Sequence, residues 1–240
     1  MDTRPSLLAR TVLDAKRLLL PWLGTACAFL LLDAFAPQFG TGFLGLVPYL
    51  AKLYLLAGFS YLAWTELSGR REEPASTRYF SRSGKLFVNV FIIGLVVSVI
   101  STGLRYTAWY LEIFWLNFAL SLALAAAFSL LAHTMAAAGV ERDFTSGILA
   151  TVQLIKESRG WAWLLVLVDP GLSTATTLLV LTSPSEALFW PGVFISGLAV
   201  HLLILFVTLG LIRLRVDLDA AAAQEANEIK LEEAKPRDAP

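Results

Sequence analysis

Long apolar stretches alternate with short polar connections along most of this chain. Six of these stretches reach the roughly 18 predominantly apolar residues that are needed to cross the hydrocarbon core of a bilayer. The pattern therefore predicts an all-α, polytopic membrane protein with six transmembrane helices. The predicted crossings are Leu18–Ala36, Phe43–Trp64, Leu86–Leu104, Tyr110–Ala138, Trp161–Thr182 and Leu188–Ile212.

Composition supports the same class of protein. The chain is 57% hydrophobic and 16% charged, whereas soluble domains average roughly 45–50% and about 25%. The apolar excess is concentrated in the six runs, so little chain is left for a soluble domain. The predicted organisation is an amphipathic N-terminal segment at residues 1–17, a six-helix transmembrane domain at 18–215 and an acidic cytoplasmic tail at 216–240.

The segment before the first crossing has the pattern of a short amphipathic helix over residues 5–17. Leu8 and Val12 fall on one side of this helix, and Arg10 and Asp14 fall on another. A helix of this kind rests in the headgroup region of a membrane, with its apolar side toward the acyl chains. We therefore expect a surface helix before the chain enters the bilayer.

A second amphipathic helix is predicted at residues 144–157, between the fourth and fifth crossings. Phe144, Ile148, Val152 and Ile155 recur at helical spacing, and charged residues flank them on both sides. The segment is too charged at its ends to span a membrane, so it is expected to lie on the bilayer surface. It is interpreted as a connector, as a docking helix for a cytoplasmic protein partner, or as a disordered loop.

Lysines and arginines occur almost only on alternate connections. All but Lys52 and Arg105 of the 19 basic residues lie before the first crossing, between the second and third, between the fourth and fifth, or after the sixth. Basic residues mark the cytoplasmic side, which predicts a multi-pass protein of a bacterial-type inner (plasma) membrane with both termini in the cytoplasm. The formal net charge is zero, so no nucleic-acid partner is expected.

Two ionisable residues in the first two crossings are placed to form an ion pair. A charged side chain at the bilayer centre costs about 2.5–3.5 kcal/mol on insertion scales, so each such residue calls for a partner or a route to water. Asp33 lies near the outer end of the first crossing, and Lys52 lies in the second crossing, about three turns from the same side. An ion pair that pins the hairpin, snorkelling of each side chain, and a coupled ion site are the three interpretations.

Polar residues on the last three crossings are predicted to form one seam inside the bundle. The seam comprises His133, Asp169, Ser173 and His201, and Pro170 is expected to kink the helix that carries Asp169. His133 and Asp169 lie within about 5 Å of each other in estimated depth, with His201 a turn or two nearer the middle. The seam is interpreted as interhelical hydrogen bonds, as a substrate or proton path, or as unrelated polar positions.

Sequence patterns typical of catalysis and cofactor binding do not occur in the chain. The HExxH, GxSxG and P-loop patterns are absent. The two histidines differ in estimated depth by about 9 Å, too far for the two axial ligands of one haem, and with a lone aspartate they are too few for a metal site. Cys27 is the single cysteine, which excludes a disulfide within one chain. We therefore expect no cofactor, no metal and no enzymatic activity.

The stretch "LALAAAFSLLAHTMAAAGVERDFTSGILATVQLIKESRGWAWLLVLV", Leu122–Val168, has a characteristic arrangement. A long span of small residues precedes a cytoplasmic amphipathic helix, a serine-containing pattern ends at Gly160, and the next span begins with Trp161. This arrangement resembles the six-span membrane domains of the glycerophosphoryl diester phosphodiesterase membrane-domain family and its uncharacterised relatives. The resemblance implies a compact helical membrane module and no catalytic residue in this chain.

The topology as a whole also looks like the transmembrane subunit of an ATP-binding-cassette exporter, in which cytoplasmic helices dock on a separate ATPase. The charged stretch Arg70–Lys85 resembles the coupling segment of those subunits, whereas the short connection Ser183–Ala187 departs from their large outer helices. Two functional hypotheses follow, both with the lipid bilayer as a partner. One is a non-enzymatic membrane component of a transport or envelope assembly, and the other is a transporter or permease subunit with a polar site around Asp169.

Overall fold

The computed structural model describes residues 6–39, 46–71, 73–110, 114–168 and 186–233. Within these ranges every regular element is helical, so the described protein is all-α. Residues 164–168 are also in helical conformation. The main helices are α1 (Leu7–Arg17), α2 (Leu19–Phe35), α3 (Leu46–Leu67), α4 (Ala75–Phe80), α5 (Gly84–Tyr110), α6 (Phe114–Ala138), α7 (Phe144–Glu157) and α8 (Glu186–Glu233), with a 3-10 turn at Ala36–Phe39.

Four helices in the described ranges, α3, α5, α6 and α8, are long and apolar enough to cross a membrane. The pair α1 and α2 passes the same test only as one unit, and it is bent by 85° between the two helices, which gives five crossings if the pair is counted. The predicted fifth crossing, Trp161–Thr182, falls mostly on residues 169–185, which lie outside the described ranges. The described residues therefore contain four or five candidate crossings, against the six predicted for the whole chain, and these apolar helices are those of a membrane protein.

The helix α8 is the element around which most of the others pack. It contacts α1, α2, α3, α6 and α7, while α2 packs on α3 and α5 packs on α6 as neighbours in the chain. The segment that follows α7 also contacts α8, because the Trp161 indole ring donates a hydrogen bond from Nε1 to the Val207 carbonyl at 2.8 Å. The ring fills the space that any side chain at position 210 would need, so Gly210 allows this close approach.

The buried core lies toward the end of the bundle at which α3 and α6 finish. Phe59 in α3, Met135 in α6 and Leu209 in α8 are fully buried at this end. At the opposite end, large apolar side chains such as Val99 and Trp115 are exposed. Acyl chains are as apolar as these side chains, so this exposure costs nothing in a bilayer. The bundle is therefore tightly packed at one end and has a lipid-compatible surface at the other.

The polar side of α1 meets protein. Asp14 and Ala15 are buried, and the Asp14 carboxylate lies 3.7 Å from the Arg213 guanidinium of α8. Leu8 and Val12, on the predicted apolar side, are exposed. A helix with its polar side on the protein and its apolar side outward is suited to a membrane surface.

One connection and the C-terminal tail are more helical than the pattern of apolar runs indicates. The charged segment between the second and third crossings contains the short helix α4. The sixth crossing, predicted to end at Ile212, continues without interruption to Glu233, so the predicted domain boundary at 215/216 lies inside α8. The alanine-rich tail has a strong helix preference, which lets the transmembrane helix extend beyond its apolar part.

Candidate functional site

A charged cluster forms where α2, α3 and α8 meet, with the Asp33 side chain 47% exposed. The Asp33 carboxylate accepts from the Lys52 ammonium at one oxygen, and its second oxygen lies 2.9 Å from Nε2 of His201. The structure thus brings together the Asp33 and Lys52 side chains, which the sequence predicts as a pair. It adds His201, which the sequence assigns to a different site.

The cluster is held by the ends of two helices and by an aromatic contact. Asp33 is in the last turn of α2, and Lys52 is in the second turn of α3, so a short connection places them side by side. The Phe29 ring meets the His201 ring edge-on, with ring centroids 5.6 Å apart. Pairing offsets the desolvation of the two charges, which is the usual condition for an ionisable group in a membrane helix.

His133 is buried and makes a hydrogen bond that defines its tautomer. Its Nδ1 lies 2.8 Å from Oγ1 of Thr208, and the same hydroxyl donates its proton to the Ile204 carbonyl at 2.9 Å. A hydroxyl has one proton to donate, so Nδ1 of His133 must carry the hydrogen and donate it to Thr208. The other ring nitrogen, Nε2, is then the acceptor in the neutral ring.

Both histidines line one cavity of about 160 Å³ between α2, α3, α6 and α8. Lys52 and Tyr49 contribute polar atoms to its wall, and the remaining wall is apolar or aromatic. A cavity of this size with several polar groups has room for a few ordered water molecules. The full lining is Phe29, Tyr49, Lys52, Leu53, Leu56, Phe128, His133, His201 and Ile204.

The predicted polar seam is therefore only partly visible. His133 and His201 face the same cavity, whereas Asp169 and Ser173 lie outside the described residues. Sequence reasoning missed the carboxylate that His201 contacts, because Asp33 is 168 positions away in the chain. Depth estimates order residues along each helix, but they do not say which helices are neighbours.

A second polar site lies at the tightly packed end of the bundle, where four basic segments join through ion pairs. Arg10 of α1 pairs with Asp217 of α8 at 2.6 Å, and Arg142 pairs with Asp219 at 3.2 Å. Arg70, which precedes α4, pairs with Glu141, which precedes α7, at 2.8 Å. The N-terminal helix, the segment before α4, the segment before α7 and the C-terminal part of α8 thus share one end of the structure.

Arg215 is the buried centre of this end. Its guanidinium donates to the carbonyls of Ala137 and Val140 at 3.2 and 3.0 Å, and it lies 5.5 Å from the Trp64 ring centroid. The last carbonyls of a helix have no partner within the helix. Arg215 of α8 therefore supplies hydrogen-bond donors to free carbonyls at the end of α6, and it fixes how the two helices meet.

The predicted docking stripe of α7 does not form one exposed face. Phe144 and Ile155 pack against the core, while Ile148 and Val152 are 39% and 46% exposed. Leu149, which the stripe omits, is 68% exposed. The buried side consists mainly of small residues, Gly147, Ala150, Thr151 and Leu154.

The choice of which side of α7 is buried has a steric cause. A carbon added at Gly147 would lie 3.1 Å from the Met135 sulfur of α6, so α7 approaches α6 through its smallest residues. Large apolar side chains are left on the outer side, which we name the α7 apolar patch and define as Ile148, Leu149 and Val152. The best candidate sites are thus the charged cluster with its cavity and the surface that carries this patch.

Comparisons of the chain with protein-family models, with curated proteins and with solved structures find no match.

Proposed function

We propose that the chain is a non-enzymatic, six-span protein of a bacterial-type inner membrane, with both termini in the cytoplasm. It serves as the membrane component of a transport or envelope assembly and docks a cytoplasmic protein. The compact helical module that the family resemblance implies agrees with this function. The observation that carries the proposal is the joining of the four basic segments at one end of the bundle.

This joining is independent of the apolar pattern from which the crossings are predicted. The basic connections alternate along the sequence, and alternate connections of an even-numbered bundle lie on one side of the membrane. The pairs Arg10–Asp217, Arg70–Glu141 and Arg142–Asp219 link all four of them. Because basic residues remain in the cytoplasm, the linked end is assigned to the cytoplasmic side.

The α7 apolar patch is the proposed contact with the partner. It lies at the linked end, and Glu141, Arg142, Lys156 and Glu157 flank it in sequence. An apolar centre with a charged rim is typical of a protein-binding surface. Binding there leaves the transmembrane packing unchanged, because the buried side of α7 faces α6.

Replacing Leu149 with glutamate is expected to release the partner and leave the protein folded in the membrane. The charge falls on the most exposed residue of the patch, where it removes apolar contact with the partner, and copurification should drop about tenfold or more. Gln224→Glu is the matched control, since it introduces the same charge at an exposed position of α8 that is not part of the patch. Affinity purification followed by quantitative mass spectrometry makes the measurement, and equal partner recovery from both variants would contradict the docking function.

The charged cluster favours a second candidate function, a proton-conducting path of a transporter. Asp33, Lys52 and His201 form a chain of ionisable groups, and His133 lines the same cavity. The cavity has room for a few ordered water molecules, and Tyr49, Lys52 and the two histidines offer them polar partners. Internal water is the medium of such a path.

A charge swap separates a structural pair from a proton path. Asp33→Lys and Lys52→Asp each place like charges together, so each is expected to lower the yield of monodisperse protein several-fold. The double variant should recover most of this yield, but not all, because His201 then meets an ammonium group. Proton uptake into vesicles under a potassium–valinomycin potential, read with an internal pH dye, is the second measurement. The path requires uptake by the wild type and none by the folded double variant, and any other combination argues against the second candidate.

A further inference from the structure

An apolar groove runs along α2 and α3 beside the short helix α4. Its cavity volume is about 400 Å³, and Pro21, Gly24 and Ala28 of α2 face Leu55 and Leu62 of α3 across it. From Pro21 to Ala28 the helix rises about 10 Å at ~1.5 Å per residue. The groove therefore extends from the arginine-rich end of the bundle well into the membrane.

Tyr79 of α4 closes the floor of this groove and satisfies its own hydroxyl there. The phenol oxygen lies 2.8 Å from Oγ1 of Thr25 and donates to the Leu55 carbonyl at 3.1 Å. The ring fits against α3 because Gly58 has no side chain, and Ser76 and Phe80 complete the wall. With the Tyr79 and Thr25 hydroxyls paired to each other, the mainly apolar wall of the groove offers contact to an apolar chain.

A second, polar cavity of about 370 Å³ lies beside the same helix α4. It is lined by Arg70, Arg78 and Arg82, with Glu73 and Glu141 opposite. Glu66 pairs with Arg78 and also with Arg71, so the ion-pair network around this cavity has four arginines and three glutamates, which leaves one positive charge in excess. Tyr61 and Thr65 of α3 complete the lining, one turn or less from Leu62 of the groove.

The arginines are held in place and still have donors to spare. Arg82 uses Nε and Nη2 on Glu73, and Arg70 uses Nη1 on Glu141, so Nη1 of Arg82 and two nitrogens of Arg70 have no partner among the described residues. Buried Arg78 donates to Thr65 and Glu66, and its Nε also has no partner in the described ranges. Glu73 accepts hydrogen bonds from Arg82, and these lower the pKa of the Glu73 carboxyl group. Glu73 therefore stays charged and keeps its ion pair with Arg82.

We propose that α4 is the centre of a binding site for one anionic phospholipid, whose phosphate lies among Arg70, Arg78 and Arg82 and whose acyl chain lies in the groove. The single negative charge of a phosphodiester matches the excess positive charge of the polar cavity. Phosphate oxygens accept hydrogen bonds from arginine in the paired geometry that the guanidinium provides. The adjoining groove selects a lipid over free phosphate, because a free anion leaves the groove empty. Arg70 belongs to the linked end of the bundle, so the proposed orientation places the lipid in the inner leaflet. Binding of the lipid does not itself depend on that orientation.

The test measures lipid retained by the purified full-length protein. Native mass spectrometry from nanodiscs that contain equal amounts of phosphatidylglycerol and phosphatidylcholine is expected to detect one phosphatidylglycerol per chain, with little phosphatidylcholine. Gly24→Phe fills the groove, since nothing lies within 4 Å of a carbon added there. Gly103→Phe is its matched control, because position 103 also has open space and lies outside the groove.

The headgroup half of the site has a separate pair of variants. Arg82→Gln removes a cavity arginine and is expected to lower phosphatidylglycerol retention about tenfold, the effect of one lost charge-assisted hydrogen bond. Arg159→Gln makes the same change at an exposed position outside the cavity. Equal retention of both lipids by the wild type, or unchanged retention in Gly24→Phe or in Arg82→Gln, overturns the proposal. Should Gly24→Phe fail to fold, Gly24→Leu fills the groove with a smaller side chain.

Discussion

Arg215→Met is expected to destabilise the bundle more than any other exchange of an arginine on the linked end. Arg215 is 6% exposed, and its guanidinium pairs with the carbonyls of Ala137 and Val140. Methionine keeps the apolar stem and removes every donor, which leaves two buried acceptors unpaired. Each unpaired acceptor costs ~1–3 kcal/mol, so we expect a loss of about 2–5 kcal/mol in the free energy of unfolding. Thermal or denaturant unfolding in detergent measures this loss.

Arg70→Met is the matched control for this prediction. Arg70 also lies over the Trp64 ring, at 4.9 Å from its centroid, but it is exposed, and among the described residues its one ion pair is with Glu141 at 2.8 Å. Exposed ion pairs contribute little to stability, with a median of about 0–1 kcal/mol. Equal effects of the two variants would show that the contact with Trp64, and not the capping of α6, accounts for the role of Arg215.

Gly58→Ala is expected to lower stability, although alanine favours a helix. A β-carbon at this position would lie 2.6 Å from a ring carbon of Tyr79 and 2.8 Å from its backbone oxygen. Helix preference alone would stabilise the variant by about 1 kcal/mol, whereas overpacking costs typically 1–3 kcal/mol. Because the neighbour includes backbone, α4 must move as a unit, and we expect the cost to exceed the gain. The sign of the change in unfolding temperature decides between the two effects.

Gly24→Ala provides the comparison, since the same substitution on α2 meets nothing within 4 Å. This control should be as stable as the wild type or more so. Gly58→Ala should also weaken the hydrogen bonds of the Tyr79 hydroxyl to Thr25 and Leu55. A variant at position 58 that unfolds at or above the temperature of the control would refute the tight packing of α4 on α3.

The helices could be predicted well because the solvent for them is lipid. A crossing needs about 18 apolar residues whatever its neighbours are, and its backbone must bond within itself. The prediction Phe43–Trp64 corresponds to α3 at Leu46–Leu67, and Tyr110–Ala138 corresponds to α6 at Phe114–Ala138. The first apolar run is an exception, because α2 has 17 residues and is too short to cross a membrane alone. Only α1 and α2 together are long enough for a crossing. The length of a run does not reveal a bend at its start.

The charged cluster shows where prediction of a site from sequence stops. Asp33 and Lys52 are 19 positions apart on consecutive helices, so counting turns is enough to suggest their contact. His201 joins them because α8 happens to lie against α2, which no local pattern specifies. The face of α7 has a similar origin, since Gly147 packs on Met135 and thereby turns Leu149 outward.

The sequence by itself determined that this is a helical membrane protein, where most of its long apolar helices lie and which segments carry its basic residues. These follow from the cost of exposing backbone and charge to hydrocarbon, which acts on each segment separately. Only the tertiary structure decided that Asp33 meets His201, that Arg215 caps α6 and that α4 lies between an apolar groove and an arginine cavity. Such contacts depend on which small residues let two helices approach, and that is a property of pairs of surfaces distant in the chain.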